Sequence, residues 1–225
     1  MDSNPVINKR ITIIAGHYGS GKTNIAVNLA TMVAKTKRNV ALADLDIVNP
    51  YFRSKDSDSE LKSAGVRVIC SEFANTNVDI PALPPEMYSI TDDKSLTAIL
   101  DIGGDDRGAI VLGRLKDKIK EEHDFDMLMV VNCYRPETRD ADSALELMRE
   151  MERASGIAFT GIINNSNLGE QTTAETVTKS LRFADEISKK ASIPVVMTTV
   201  KEELYDKLCS QIPNIFPLIL QEKYF

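Results

Sequence analysis

Seven stretches of mostly apolar, β-favouring residues recur along the chain, at 10–16, 39–45, 65–70, 96–102, 126–132, 158–164 and 193–199. Most are continuous rather than alternating, as in strands covered on both faces of a parallel sheet. Between several of them the apolar residues adopt a helical period. Residues 24–34 show it after the first run. Ile110, Val111, Leu115 and Ile119 share a face of 106–122, and Ala141, Ala144, Leu145, Met148 and Met151 share a face of 137–154. Val177, Leu181, Ala184, Ile187 and Ala191 do the same in 173–191. A 3.6-residue period suits helices packed on a sheet. Strands alternating with helices predict right-handed crossovers and an α/β architecture. The expected form is a three-layer doubly wound sheet, mostly parallel, of about seven strands.

Two segments interrupt the alternation. Residues 46–64 open on Asn49-Pro50-Tyr51 and run into Ser54-Lys55-Asp56-Ser57-Asp58-Ser59, while 71–86 carry Pro81, Pro84 and Pro85. Both follow strands, at the sheet edge where open α/β folds bind ligands, so they are candidate switch or partner loops.

Composition narrows this picture only modestly. At 225 residues the chain suits one large α/β domain. The net charge of −6 argues against duplex DNA or an anionic membrane as the main partner. Cys70, Cys133 and Cys209 lie far apart with no C-x-x-C spacing, so the sequence offers no support for an iron–sulfur cluster. Sparse cysteines fit reduced thiols in a cytoplasmic protein. Met1 to Arg10 is polar without an apolar signal core, and no apolar run is long enough to span a membrane.

The chemistry concentrates after the first strand. Residues 16–23 read Gly-His-Tyr-Gly-Ser-Gly-Lys-Thr, a complete G-x-x-x-x-G-K-[ST] phosphate loop between an apolar run and a helical pattern. Gly16, Gly19 and Gly21 let the backbone approach phosphate oxygens closely. The N–H groups of the loop, from His17, Tyr18 and Ser20 through to Asn24, form an anion nest at a helix start. Lys22 supplies charge to the β- and γ-phosphates, and Thr23 offers a hydroxyl to Mg²⁺. The strand at 39–45 ends in Asp44-Leu45-Asp46, and the one at 96–102 ends in Asp101-Ile102-Gly103-Gly104-Asp105. Asp44, Asp46 and Asp101 are candidate metal-side carboxylates, and Asp46 can also orient an attacking water. Asp105 is a candidate nucleotide sensor, and with Asp106 a candidate cap for the next helix.

The phosphate loop after the first strand, D-x-D after the second and D-x-x-G-D after a later one resemble the MinD/ParA/nitrogenase-iron-protein branch of P-loop NTPases, the SIMIBI class. The resemblance covers roughly residues 10–200 of a single P-loop NTPase domain 1–225, with the tail 201–225 packed on the domain or a partner. It implies ATP with Mg²⁺, slow ATP hydrolysis and often a nucleotide-dependent homodimer. By motif position Asp46 resembles the branch's water-positioning aspartate, Asp101 its magnesium-side aspartate and Asp105 its second switch aspartate. The strings Asp-Leu-Asp-Ile-Val-Asn-Pro-Tyr-Phe-Arg and Asp-Ile-Gly-Gly-Asp-Asp are also similar to a group of largely uncharacterised MinD-like ATP-binding proteins. The chain departs from the branch at His17, where a lysine usually reaches the partner subunit's nucleotide. Arg53 and Arg107, which follow the two switch motifs, are candidates to replace that charge.

The sequence lacks the Asn-Lys-x-Asp string of familiar GTPases. The run at 158–164 closes instead on Asn164-Asn165-Ser166-Asn167. An amide both donates to and accepts from a base edge, and in MinD-like proteins an asparagine here contacts adenine. Asn164 is the first candidate and Asn165 the alternative. The expected role is a regulatory or maturation ATPase acting on a protein partner. The alternative is an ATP-dependent small-molecule synthetase or kinase on the same core. A membrane or DNA positioning role is disfavoured. The tail Ile212–Phe225 holds Ile215, Phe216, Leu218, Ile219, Leu220, Tyr224 and Phe225, but it has one lysine, Lys223, and is broken by Pro213 and Pro217. No basic cluster marks a nucleic-acid face.

Overall fold

The computed structural model describes residues 7–37, 39–45, 55–70, 85–104 and 106–220, with side chains for all of these except 55–58, 106 and 107. Asp46, Asp105, Arg53 and the Arg107 side chain therefore lie outside what is described.

All seven apolar runs become strands: β1 Ile11–Ala15, β2 Val40–Leu45, β3 Val66–Cys70, β4 Thr97–Ile102, β5 Phe125–Val131, β6 Gly161–Asn164 and β7 Val195–Lys201. An eighth, β8 Ile215–Leu218, extends the sheet at its far edge. The order is β3-β2-β4-β1-β5-β6-β7-β8, and every described pairing is parallel. The expectation of about seven mostly parallel strands thus becomes eight, all parallel among the described residues. Pro217 lies within β8, where an edge strand tolerates a missing N–H.

Alternate residues of the central strands serve two cores, which is why those strands read as continuous apolar runs. Ile13, Leu100 and Met129 pack on one face with Leu112, Ile119, Met148 and Ile187. Ile14, Leu42, Ile99 and Val130 pack on the other with Ile25 and Leu29. The helices that supply these residues are α1 Lys22–Ala34 on the second face and, on the first, α4 Asp106–Gly113, α5 Lys116–Glu122, α6 Ala141–Ser155 and α7 Ala174–Ala191. A smaller core joins α7, α8 Glu202–Leu208 and β8 through Val177, Leu204 and Ile215. The chain leaves β1 toward β2 and β3, returns through β4, and then builds the other half from β5. The switch in strand order therefore falls at β1, where such folds bind ligands beyond the carboxyl ends of the strands.

Helix limits differ from the sequence pattern in instructive places. The single helix expected over 106–122 is two, separated at Arg114 and Leu115, and Ile110 faces outward while Leu112 is buried in its stead. The helix expected from 137 begins at Ala141, where the Asp140 carboxylate accepts from the Ser143 N–H at 2.8 Å. Two helices stand in the irregular segments, α2 Lys55–Ser63 and α3 Pro85–Asp92. Proline is compatible with the first helical turn, so Pro85 starts α3 rather than preventing it.

Candidate nucleotide site

Three strand ends meet under the phosphate loop. Ile14 of β1 is in register with Asp101 of β4, and Asp101 with Asp44 of β2. Both carboxylates lie two residues beyond apolar residues of the α1-side core (Ile99 and Leu42), so strand alternation puts them on the α1 face. The first turn of α1 brings Thr23 onto them, and its hydroxyl donates to Asp101 Oδ2 at 2.6 Å. Asp44 and Asp101 are both buried. A hydroxyl and two carboxylates are hard oxygen donors, a set that suits Mg²⁺ held partly through its waters.

The loop itself is tightly constrained. A Cβ on Gly16 would lie 2.5 Å from the Val130 carbonyl, and Gly21 caps α1 with φ 95°, a left-handed conformation that glycine adopts without strain. The Lys22 ammonium donates to the His17 carbonyl at 3.0 Å. The Ser20 hydroxyl is buried and has no hydrogen-bond partner among the described residues. On the β4 side, a Cβ on Gly104 would stand 2.4 Å from the Tyr18 nitrogen. The backbone after Asp101 is therefore pressed directly against the phosphate loop.

His17 sits beside a turn that follows β5. Its Nδ1 lies 2.9 Å from the Tyr18 carbonyl and 3.6 Å from Glu137 Oε2. Glu137 is held in that turn by its neighbour Thr138, whose hydroxyl donates to the Asn132 carbonyl at 2.7 Å. Asn132 also joins the loops after β5 and β6, accepting from the Tyr134 and Asn167 N–H groups at 3.0 and 3.3 Å. The Ser166 hydroxyl accepts from the Cys133 N–H at 3.1 Å.

The two asparagines considered for the base take different places. Asn164 is fully buried, donates to the Ser180 hydroxyl at 2.9 Å and accepts from the Ser166 N–H at 3.2 Å. Asn165 turns toward the phosphate loop and donates to the Ser20 carbonyl at 2.6 Å. Asn24, in the first turn of α1, has its carbonyl and side-chain oxygen within reach of the Asn28 amide. Asn28 in turn pairs with both the N–H and the carbonyl of Ile219, fastening the segment after β8 to α1. Glu137 and the approach of Gly104 to Tyr18 had no local signal in the sequence, because each arises from a contact between segments far apart in the chain.

An all-parallel α/β sheet with a phosphate loop at its switch point, a helix-borne threonine and two strand-end aspartates defines a P-loop NTPase of the SIMIBI class. The chain belongs to the family of the CobQ/CobB/MinD/ParA nucleotide binding domain, which matches residues 11–208. No curated protein matches it. Among solved structures it is similar to the cell division protein FtsY from Thermotoga maritima, with 18% identity and a TM-score of 0.52 over 87% of this chain and 64% of that one. It is also similar to the signal recognition particle 54 kDa protein from Aeropyrum pernix K1 in complex with GDP, with 14% identity and a TM-score of 0.51 over 88% of this chain and 43% of that one. The chain thus spans less than two thirds of either neighbour's length, and at these identities the likeness is one of fold. No helix among the described residues is long and apolar enough to cross a membrane.

Proposed function

We propose that this chain is a single-domain, Mg²⁺-dependent cytoplasmic ATPase whose nucleotide state switches its binding to a protein partner, in a regulatory or maturation role. The observation that carries the reading is the Thr23 hydroxyl on Asp101, with Asp44 in register beside it and Gly104 packed on the loop. Thr23 would hold Mg²⁺, with Asp101 and Asp44 behind it. When bound, the ion neutralises charge on the β- and γ-phosphates. Lys22 leaves the His17 carbonyl for the phosphates, and the N–H groups from Gly16 to Thr23 hold the remaining oxygens. Asp46 orients the attacking water, and Asp105 reports the γ-phosphate to the switch segment. Because Gly104 abuts Tyr18, a change in the loop on hydrolysis is passed directly to the chain leading into α4.

ATP rather than GTP is favoured by the absence of the Asn-Lys-x-Asp string of familiar GTPases. In a competition assay, labelled ATP is displaced by unlabelled ATP and poorly by GTP; a clear GTP preference overturns the choice of base. Thr23→Ala and Asp101→Asn lower Mg²⁺-dependent hydrolysis by about 10–100-fold, as losses around a metal commonly do. Basal turnover is slow and rises with a protein partner. A many-fold rise with a carboxylate or amine metabolite alone would instead identify a small-molecule enzyme.

A further inference from the structure

We infer that Asn165, held by Thr199, is a positioning residue for the phosphate loop and acts on the triphosphate rather than on the base. This rests on the nucleotide reading above. Asn165 follows β6 and is 5% exposed. Its Nδ2 donates to the Ser20 carbonyl at 2.6 Å, and its Oδ1 accepts from the Thr199 hydroxyl of β7 at 2.5 Å. Its own N–H donates to the Val131 carbonyl at the end of β5, at 2.9 Å. Three neighbouring strands therefore fix one amide against the loop.

The consequence follows from peptide geometry. The Ser20–Gly21 peptide is planar and trans, so its C=O and N–H point in opposite directions. Pinning the Ser20 carbonyl to Asn165 turns the Gly21 N–H away from β6. It then faces the concave side of the loop, where a phosphate oxygen would lie. Thr199 decides which way round the amide sits. A hydroxyl that donates to Oδ1 leaves Nδ2, the donor end, for the carbonyl. Gly21 completes the fit, because a Cβ there would stand 2.2 Å from Nδ2. The amide thus sets the donor geometry before the ligand arrives, and preorganised donors bind charge without a reorganisation cost.

Inorganic tripolyphosphate, which has no base, separates phosphate positioning from base reading. Binding of Mg²⁺-ATP and of Mg²⁺-tripolyphosphate is measured by calorimetry for the wild type, Asn165→Ala, Thr199→Val and Thr199→Ser. Asn165→Ala weakens both ligands in the same proportion, about tenfold for one lost hydrogen bond to the loop. Thr199→Val follows it, Thr199→Ser restores binding, and the Asn165→Ala/Thr199→Val double variant loses no more than Asn165→Ala alone. If Asn165→Ala weakens ATP while tripolyphosphate is unchanged, the residue reads the base and the inference fails. If Asn165→Ala and Thr199→Val lower the unfolding temperature without changing either affinity, the network is merely structural and the inference fails too. A wild type that binds tripolyphosphate but not ATP overturns the nucleotide reading and leaves the loop geometry supported; one that binds neither overturns both.

Discussion

Gly104 shows how one missing methyl group can matter at this site. Its α-carbon approaches the loop so closely that a Cβ would overlap the Tyr18 nitrogen at 2.4 Å and its Cα at 2.8 Å. Gly104→Ala therefore forces backbone apart from backbone, at a cost of about 1–3 kcal/mol for overpacking of this kind. Because the displaced backbone is the phosphate loop, nucleotide affinity falls with stability. Titration of Mg²⁺-ATP into the folded variant checks this, and unchanged affinity would show that the loop yields freely. At the opposite end of the strands, Arg10 serves the fold alone. Its guanidinium pairs with Glu122 and donates to the Ile90 and Leu96 carbonyls at 2.9 and 2.8 Å. The hydrogen bonds from Arg10, and then from Lys94, hold the Glu122 carboxyl below its ordinary value. A lowered folded-state value means that the unfolded chain binds the extra proton. The stabilisation is complete above the ordinary glutamate range and is lost as pH falls through the folded value. Urea midpoints of the wild type and Glu122→Gln accordingly diverge at neutral pH and converge as the solution is acidified. Parallel curves would mean that the pair does not titrate with folding.

Whole elements were predictable where the apolar period was strong. The α6 face named from the sequence, Ala141, Ala144, Leu145, Met148 and Met151, is buried throughout. In α7 the buried set includes Val177, Ala184 and Ile187, and the helix starts at a Thr173/Thr176 capping box. The apolar period over 106–122 suggests one helix, whereas two short helices each present their own face. Ile110, 46% exposed, belongs to no core, whereas Leu112 is fully buried. Leu112→Ala is expected to cost about 2–5 kcal/mol and Ile110→Ala less than about 0.5 kcal/mol, read from denaturant unfolding. Comparable losses at the two positions would restore the single-helix reading. The helices α2 and α3 carry weak sequence signals for different reasons. Leu61 is the buried apolar residue of α2 in a polar stretch, and the prolines around 81–85 obscured the start of α3.

For the molecule as a unit, His17 bears on assembly. Its ring is turned to the Tyr18 carbonyl and toward Glu137 of the same chain. An imidazole in that place cannot span to a second nucleotide as a lysine does. A homodimer on ATP would then depend on other contacts, and Tyr18 of the loop and Ile110 of α4 are both exposed. Size measurement of the 24.9 kDa chain with a non-hydrolysable ATP analogue decides the matter. A doubling of mass supports the ATP-dependent homodimer, and an unchanged mass supports a switch that works as a monomer.

Local rules made the strands, the phosphate loop, Thr23 and the pair Asp44 and Asp101 legible in the chain. Strand burial, the glycine spacing of an anion nest and carboxylates at strand ends each act over a few residues. Contacts across the sheet were a different matter. Asn165 meets Ser20 across 145 positions, and Thr199 meets Asn165 from the next strand. The same amide chemistry suits an adenine edge or a peptide carbonyl, so residue type alone left both open. Strand order supplies the carbonyl in this fold, because the carboxyl end of β6 lies beside the loop that follows β1, with Thr199 of β7 behind Asn165, and a buried carbonyl requires a donor.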